Sequence, residues 1–183
     1  MKYIRTMMVV GVLLLATLSG AHAGVSRDVD VDDYRVKAEQ GRAYAQYNLT
    51  LRYEDGKGVP QDHEEAARLF RKSAGQGHVK AQFNLGYMYN LGQGVVRDFK
   101  QAAKWYGKAA GQGHVKAQFN LGLMYVQGQG VKQDYIMAHM YWNIAVVGGN
   151  KGALKNRDKV TAMMTTSQIE KAQGLAQEWM RTH

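Results

Sequence analysis

The stretch AGQGHVKAQFNLG stands at Ala74–Gly86 and returns unchanged at Ala110–Gly122, thirty-six residues further on. Identity at a fixed offset of this size is the signature of a repeat architecture, in which each unit is one supersecondary element stacked on the next. The offset extends in both directions. Upstream, Ala45-Gln46-Tyr47-Asn48-Leu49 matches Ala81-Gln82-Phe83-Asn84-Leu85. A glycine-rich turn repeats as Gly56-Lys57-Gly58-Val59, Gly92-Gln93-Gly94-Val95 and Gly128-Gln129-Gly130-Val131. Three units follow, at 42–77, 78–113 and 114–149. Residues 33–41 read as the second helix of a partial unit, because Tyr34 and Gly41 align with Phe70 and Gly77.

Each unit reads as two helices. In the middle one, Ala81, Leu85, Met88 and Tyr89 fall three or four residues apart, the spacing of one helical face, over Val79–Leu91. Glycines then break the pattern. Asp98 is placed to cap a second helix, with Gln101 three residues on as in a capping box, and Asp62 with Glu65 repeats the arrangement. Asp134 keeps the cap, but Met137 fills the box position. Ala102, Tyr106 and Ala109 form the stripe of the second helix.

Small residues recur inside these helices. Alanine holds one position as Ala66, Ala102 and Ala138, and another as Ala45, Ala81 and Ala117. Glycine holds a third as Gly86 and Gly122, although it costs a helix about 1 kcal/mol against alanine. A helix therefore crosses closely at those glycines. Thr50 stands there in the first unit, so a looser contact is expected at that end.

The pattern resembles the Sel-1-like repeat family, a relative of the tetratricopeptide repeats. The resemblance is carried by Ala81–Gly86, Tyr89, Gly92-x-Gly94-Val95, Asp98, Ala102 and Trp105-Tyr106-x-Lys108-Ala109-Ala110. It implies an all-α solenoid of stacked antiparallel helix pairs, a right-handed superhelix whose concave face binds proteins or peptides. The last unit's second helix is unusually apolar, from Ile136 and Met137 to Val147. Residues 150–183 are expected to cap it with two helices, about Ala153–Met164 and Ser167–Arg181. Ser167 and Glu170 would make a capping box, and Ile169, Ala172, Leu175, Ala176 and Trp179 the covering face.

The first residues read differently. Lys2 and Arg5 precede an apolar run from Met7 to Leu18, and Ala21-His22-Ala23 has the small-x-small pattern of a signal-peptidase site. Residues 1–23 are thus expected to be a cleavable signal peptide, leaving a periplasmic or secreted chain from Gly24, with 24–41 as its N-terminal segment. The run is shorter than the roughly 20 residues of a membrane span, so no stable anchor is expected after cleavage. Export permits disulfides, yet the 183 residues contain no cysteine, so packing alone supplies stability. The formal net charge of +9 falls to about +7 without Lys2 and Arg5. Basic residues read as a solvated surface rather than a nucleic-acid site.

Positions identical in every unit answer to stacking, and positions that vary are free to meet a ligand. Asn48, Asn84 and Asn120 recur beside Gln46, Gln82 and Gln118. They suit either hydrogen bonds between helices or an amide ladder along an extended peptide. The varying positions are Tyr44, Lys80 and Lys116, then Leu51, Tyr87 and Leu123, then Arg52, Met88 and Met124. Arg52, Lys80, Tyr87 and Lys116 are the candidates for partner contact, since basic and aromatic side chains anchor such surfaces. His78 and His114 open the first helices and, with no carboxylate at ligand spacing, read as helix-start groups rather than a metal site.

No catalytic residue or cofactor is expected. Some cysteine-rich exported relatives are linked to penicillin binding, but no Ser-x-x-Lys or Lys-Thr-Gly element occurs here, and no nucleophile elbow, zinc motif or phosphate loop. The expected function is an exported binding scaffold for a protein or peptide, monomeric or weakly dimeric. The alternatives are a secreted host-interaction factor and a weak cell-wall-acting or β-lactamase-like enzyme.

Overall fold

A computed structural model describes residues 22–183, with side chains from Val31 onward. The expected signal peptide lies, up to residue 21, outside the described residues. Those residues form helices and no strand: α1 (His22–Glu39), α2 (Ala43–Asp55), α3 (His63–Gly75), α4 (Val79–Leu91), α5 (Phe99–Ala110), α6 (Val115–Gln127), α7 (Tyr135–Val147), α8 (Lys151–Thr161) and α9 (Thr166–Thr182). The hairpins α2–α3, α4–α5 and α6–α7 are the three units. Each second helix packs on the first helix of the next unit, so the stack runs continuously from α1 to α8.

Alanine makes the close stacking possible. Ala45, Ala66, Ala81, Ala102, Ala117 and Ala138 are all fully buried. Glycine marks the tightest crossings. A Cβ on Gly86 would stand 2.8 Å from the Tyr106 ring, and one on Gly122 would stand 2.5 Å from Trp142 Nε1. Thr50 is completely buried, so the first unit fills the position rather than loosening it. By the repeat register its counterpart ring is Phe70, smaller than Tyr106 or Trp142, which leaves room for a methyl and a hydroxyl. The Thr50 hydroxyl donates to Gln46 O at 2.7 Å, as short side chains do within helices.

Second helices start on Asp62, Asp98 and Asp134, whose carboxylates accept from backbone N–H groups of the first turn. The reciprocal half of the expected capping boxes does not form. The backbone N–H groups of Asp62, Asp98 and Asp134 donate instead to Tyr53 O, Tyr89 O and Tyr125 O at the end of the preceding helix. With that donor taken, Glu65 pairs with Arg68. The second glycine of each turn has an inter-unit reason. Gly94 and Gly130 hold positive φ of 64° and 71°, and a Cβ on either would strike the backbone of His63 or Phe99 in the preceding unit.

The C-terminal helices differ from expectation in detail. α8 begins at Lys151 rather than Ala153 and ends at Thr161. It is the first helix of a fourth unit: Asn150, Ala153 and Asn156 stand thirty-six residues after His114, Ala117 and Asn120. Asp158 occupies the place of Gly122, so no ring can cross there. Accordingly α9 packs against α7 and makes little contact with α8. Met140, Ile144 and Ala176 form that interface, with Trp179 and Met180 beside it. Ala172 is buried, but Leu175 is exposed and no part of the covering face. The capping box of α9 uses Thr165 and Gln168, two residues before the expected Ser167 and Glu170.

Candidate functional site

The repeated glutamines are structural. Gln46, Gln82 and Gln118 are buried, and their Nε2 groups donate at 3.2 Å to Ala38 O, Ala74 O and Ala110 O, near the end of the preceding helix. Their Oε1 atoms accept from the next turn, from Gln76 at 2.8 Å and Gln112 at 2.7 Å. The third unit has Gly148 where a further glutamine would stand, and Gln118 Oε1 is left buried without a partner. These amides seal unit to unit and are closed to a peptide.

The asparagines face the unit junctions and are only partly buried. Burial raises the pKa of Tyr47, and the adjoining Asn84 amide offsets part of that rise. The buried Tyr106 hydroxyl has no hydrogen bond. Burial pushes it up to about 12, and Asn120 lies close enough to ease that rise without completing a bond. Asn48 is the N-terminal end of the row, partly buried like the others, and lines two adjoining hollows. One, of about 530 Å³, also holds Tyr44, Tyr47, His78 and Lys80. The other, of about 200 Å³, holds Tyr34, Leu51 and Arg52.

The remaining candidates separate cleanly. Lys80 and Lys116 are exposed and make no ion pair among the described residues. Tyr87 is 46% exposed, with its ring stacked on Phe83 at 6.5 Å. Arg52 is half-buried in the hollow beside Asn48. Its counterparts Met88 and Met124 are core residues, 1% and 3% exposed, so that position varies for packing and is no common contact site. Tyr44, 43% exposed, belongs with the candidates. Its signal was an aromatic at the position of Lys80 and Lys116.

His78 and His114 cap α4 and α6. Their Nδ1 atoms accept from Ala81 N and Ala117 N at 3.2 Å, and their rings stack on Tyr47 and Phe83 at 4.6 and 4.5 Å. Burial lowers both pKa values, and Lys80 or Lys116 lowers them further, which keeps the acceptor nitrogen unprotonated. Among the described residues no group of three or more histidine or acidic side chains could hold a metal.

Helix pairs that recur every thirty-six residues, sealed by recurring amides and crossing at a glycine in the second and third units, define an α-solenoid repeat protein. The Sel1 repeat matches at residues 43–78, 79–114 and 115–146. The chain belongs to the Sel1 repeat family, whose members generally mediate protein–protein interaction and are typically not enzymes. It is similar to a Sel1 repeat protein from Oxalobacter formigenes at 37% identity, covering 71% of this chain and 98% of that one with a TM-score of 0.66. It is also similar to c5321, a protective antigen present in uropathogenic Escherichia coli strains, at 31% identity, covering 82% of this chain and 40% of that one, with a TM-score of 0.64. Helicobacter pylori cysteine rich protein B, at 19% identity and a TM-score of 0.57, shares the fold. A search of curated proteins finds no match.

Proposed function

We propose that the chain is an exported scaffold that holds a protein or peptide partner along the concave face formed by α2, α4 and α6. The observation that carries this reading is the pair of hollows joined at Asn48, walled by Tyr44, Lys80 and Arg52. Stacking consumes the glutamines, the alanines and the crossing glycines. What remains on this face is aromatic and basic: Tyr44, Lys80, Tyr87 and Lys116, the kind of side chains that anchor a partner. Asn48, Asn84 and Asn120 run beside them as amides able to meet a peptide backbone.

Crosslinking in cells that make the full chain tests this, with a Lys80→Ala, Tyr87→Ala, Lys116→Ala version in parallel. The expected result is one captured protein that the triple variant loses. Equal capture by both places the binding elsewhere and sinks the reading. Export rests on the basic start, apolar run and Ala21-His22-Ala23 pattern. Sequencing the N-terminus of periplasmic protein should read from Gly24; retention of Met1 would refute cleavage. The likeness to c5321, a protective antigen, favours a host-facing role as the second reading, which requires the protein in the culture medium.

A further inference from the structure

A further hollow, larger than the two beside Asn48, is lined by the loop that joins α4 to α5 rather than by the first-helix face. It is an open hollow of about 900 Å³ at the loop edge of unit two, lined by Tyr89, Val96, Arg97, Asp98 and Lys100, with Arg71 from unit one and Gly130 from unit three. We propose that this hollow is a second binding site, one that takes an acidic segment of a partner protein.

Comparison of the units within the chain is the first ground. Arg71 stands where the next two units have Gly107 and Asn143; Arg97 stands where the flanking units have Gln61 and Gln133; Lys100 stands where they have Glu64 and Ile136. All three departures converge on one hollow. At the Arg97 position the departure gives up a structural bond. Gln61 Nε2 donates to Glu54 O, and Gln133 Nε2 donates to Val126 O, each at 2.7 Å. Arg97 makes no such bond and lies instead over the Phe99 ring, 5.4 Å from its centre. Stacking does not ask for an arginine here.

Charge is the second ground. Three cations face one carboxylate in the hollow, and that carboxylate is occupied, since Asp98 Oδ1 accepts from Lys100 N and Gln101 N at 2.9 and 3.1 Å. Arg71 Nη2 donates to the Tyr89 hydroxyl at 3.0 Å, which turns its guanidinium toward the hollow's wall and leaves its other donors for an anion. Glu64 and Glu65 follow His63, whose backbone lies against Gly94 at the hollow, and Glu65 is paired with Arg68; beyond them the surroundings are basic. From Ala66 to Arg157 the chain carries thirteen lysines and arginines against two acids, Asp98 and Asp134, and both of these are helix caps. Two guanidiniums with an ammonium suit paired carboxylates, which arginine engages through parallel N–H donors. Val96, 88% exposed at the rim, offers an apolar contact that a peptide would use and a bare phosphate would not.

Fluorescence anisotropy with the purified protein and a labelled peptide alternating glutamate pairs with leucine tests the proposal. The variant to compare is Arg71→Asn, Arg97→Gln, Lys100→Glu. Each replacement is the residue another unit already holds at that position, so the fold should tolerate it, and unchanged helical circular dichroism checks this. If helicity falls, Arg97→Gln alone, which restores the repeat's own hydrogen bond, takes its place with an expected loss of about threefold. The expected result is binding that weakens with salt, falls at least about tenfold in the triple variant, and survives the Lys80, Tyr87 and Lys116 alanine changes. Four results would overturn it: undiminished binding by the triple variant, equal binding of the glutamine version of the peptide, competition by inorganic phosphate as strong as by the peptide, or loss only in the concave-face variant. The last would leave the concave-face reading standing while removing this one.

Discussion

Replacing glycine by alanine within a helix should change sign along this chain. By helix propensity alone each such change gains about 1 kcal/mol. At Gly122 the new methyl would sit 2.5 Å from Trp142 Nε1, 2.7 Å from Cδ1 and 2.8 Å from Cε2. The indole cannot easily retreat. It is 3% exposed and its Nε1 donates to Phe119 O at 3.1 Å. Overpacking of this kind costs about 1–3 kcal/mol, and displacement of the ring sacrifices a buried hydrogen bond worth about 1 kcal/mol more. Gly122→Ala should therefore destabilise by about 2 kcal/mol net after the propensity gain. Gly174, in the middle of α9, has no heavy atom within 4 Å of its would-be Cβ, so Gly174→Ala should stabilise by up to about 1 kcal/mol. Urea denaturation followed by circular dichroism and tryptophan fluorescence measures both. Equal signs, or a Gly122→Ala protein at least as stable as the parent, would refute the claim that this glycine exists for the crossing.

The amide seal, the histidine caps and the aspartate caps give further expectations. Gln112→Ala removes the donor to buried Gln82 Oε1 and should cost about 1 kcal/mol in the same assay; no loss would mean the seal is ornamental. His78 and His114 have lowered pKa values in the fold, so the unfolded chain binds more protons, and stability present above about pH 6.5 declines as pH falls through the folded values. Replacing both with asparagine, the residue that caps α8 as Asn150, should flatten part of the fall in melting temperature between about pH 7 and 5.5, the rest coming from His139, whose pKa burial also lowers; an unchanged slope refutes the assignment. Asp98→Ala loses two first-turn acceptor bonds and should cost about 1 kcal/mol, read as a lowered denaturation midpoint.

Periodicity made most of this fold legible because stacking demands the same residue at the same place in every unit. The first helix of the middle unit, Val79–Leu91, follows directly from its glycine and histidine boundaries. The capping boxes were not legible in full. An Asp-x-x-Gln pattern shows the acceptor, but cannot show that the carbonyl of a tyrosine nine residues earlier in each unit has already claimed the backbone donor. Nor could one sequence position tell that Arg52 is surface while Met88 is core. The glutamines show a related limit: a polar residue repeated three times reads equally as ligand ladder or seal, and only burial against Ala38, Ala74 and Ala110 decides for the seal.

The end of the stack is set by a few departures from the repeat rather than by a change of fold. α8 keeps the cap, the buried alanine and the asparagine of a first helix, so the rule that adds a unit is still obeyed at Asn150, Ala153 and Asn156. What it lacks is the crossing glycine, replaced by the exposed carboxylate of Asp158. A second helix docking there would have to bury that charge against a ring, at a cost no alanine stripe could offset. α9 is therefore diverted onto the apolar face of α7, which the inner second helices do not present: α5 has lysines at positions 100, 104 and 108, and α7 has none. The diversion covers Met140 and Ile144 and leaves the first-helix face uncovered from Tyr44 to Lys116. On the proposed reading, the length available to a partner on the concave face is then three units, and Asp158→Gly alone should not lengthen it, because Arg157 still stands where Leu121 packs and Glu178 stands where the crossing ring would be.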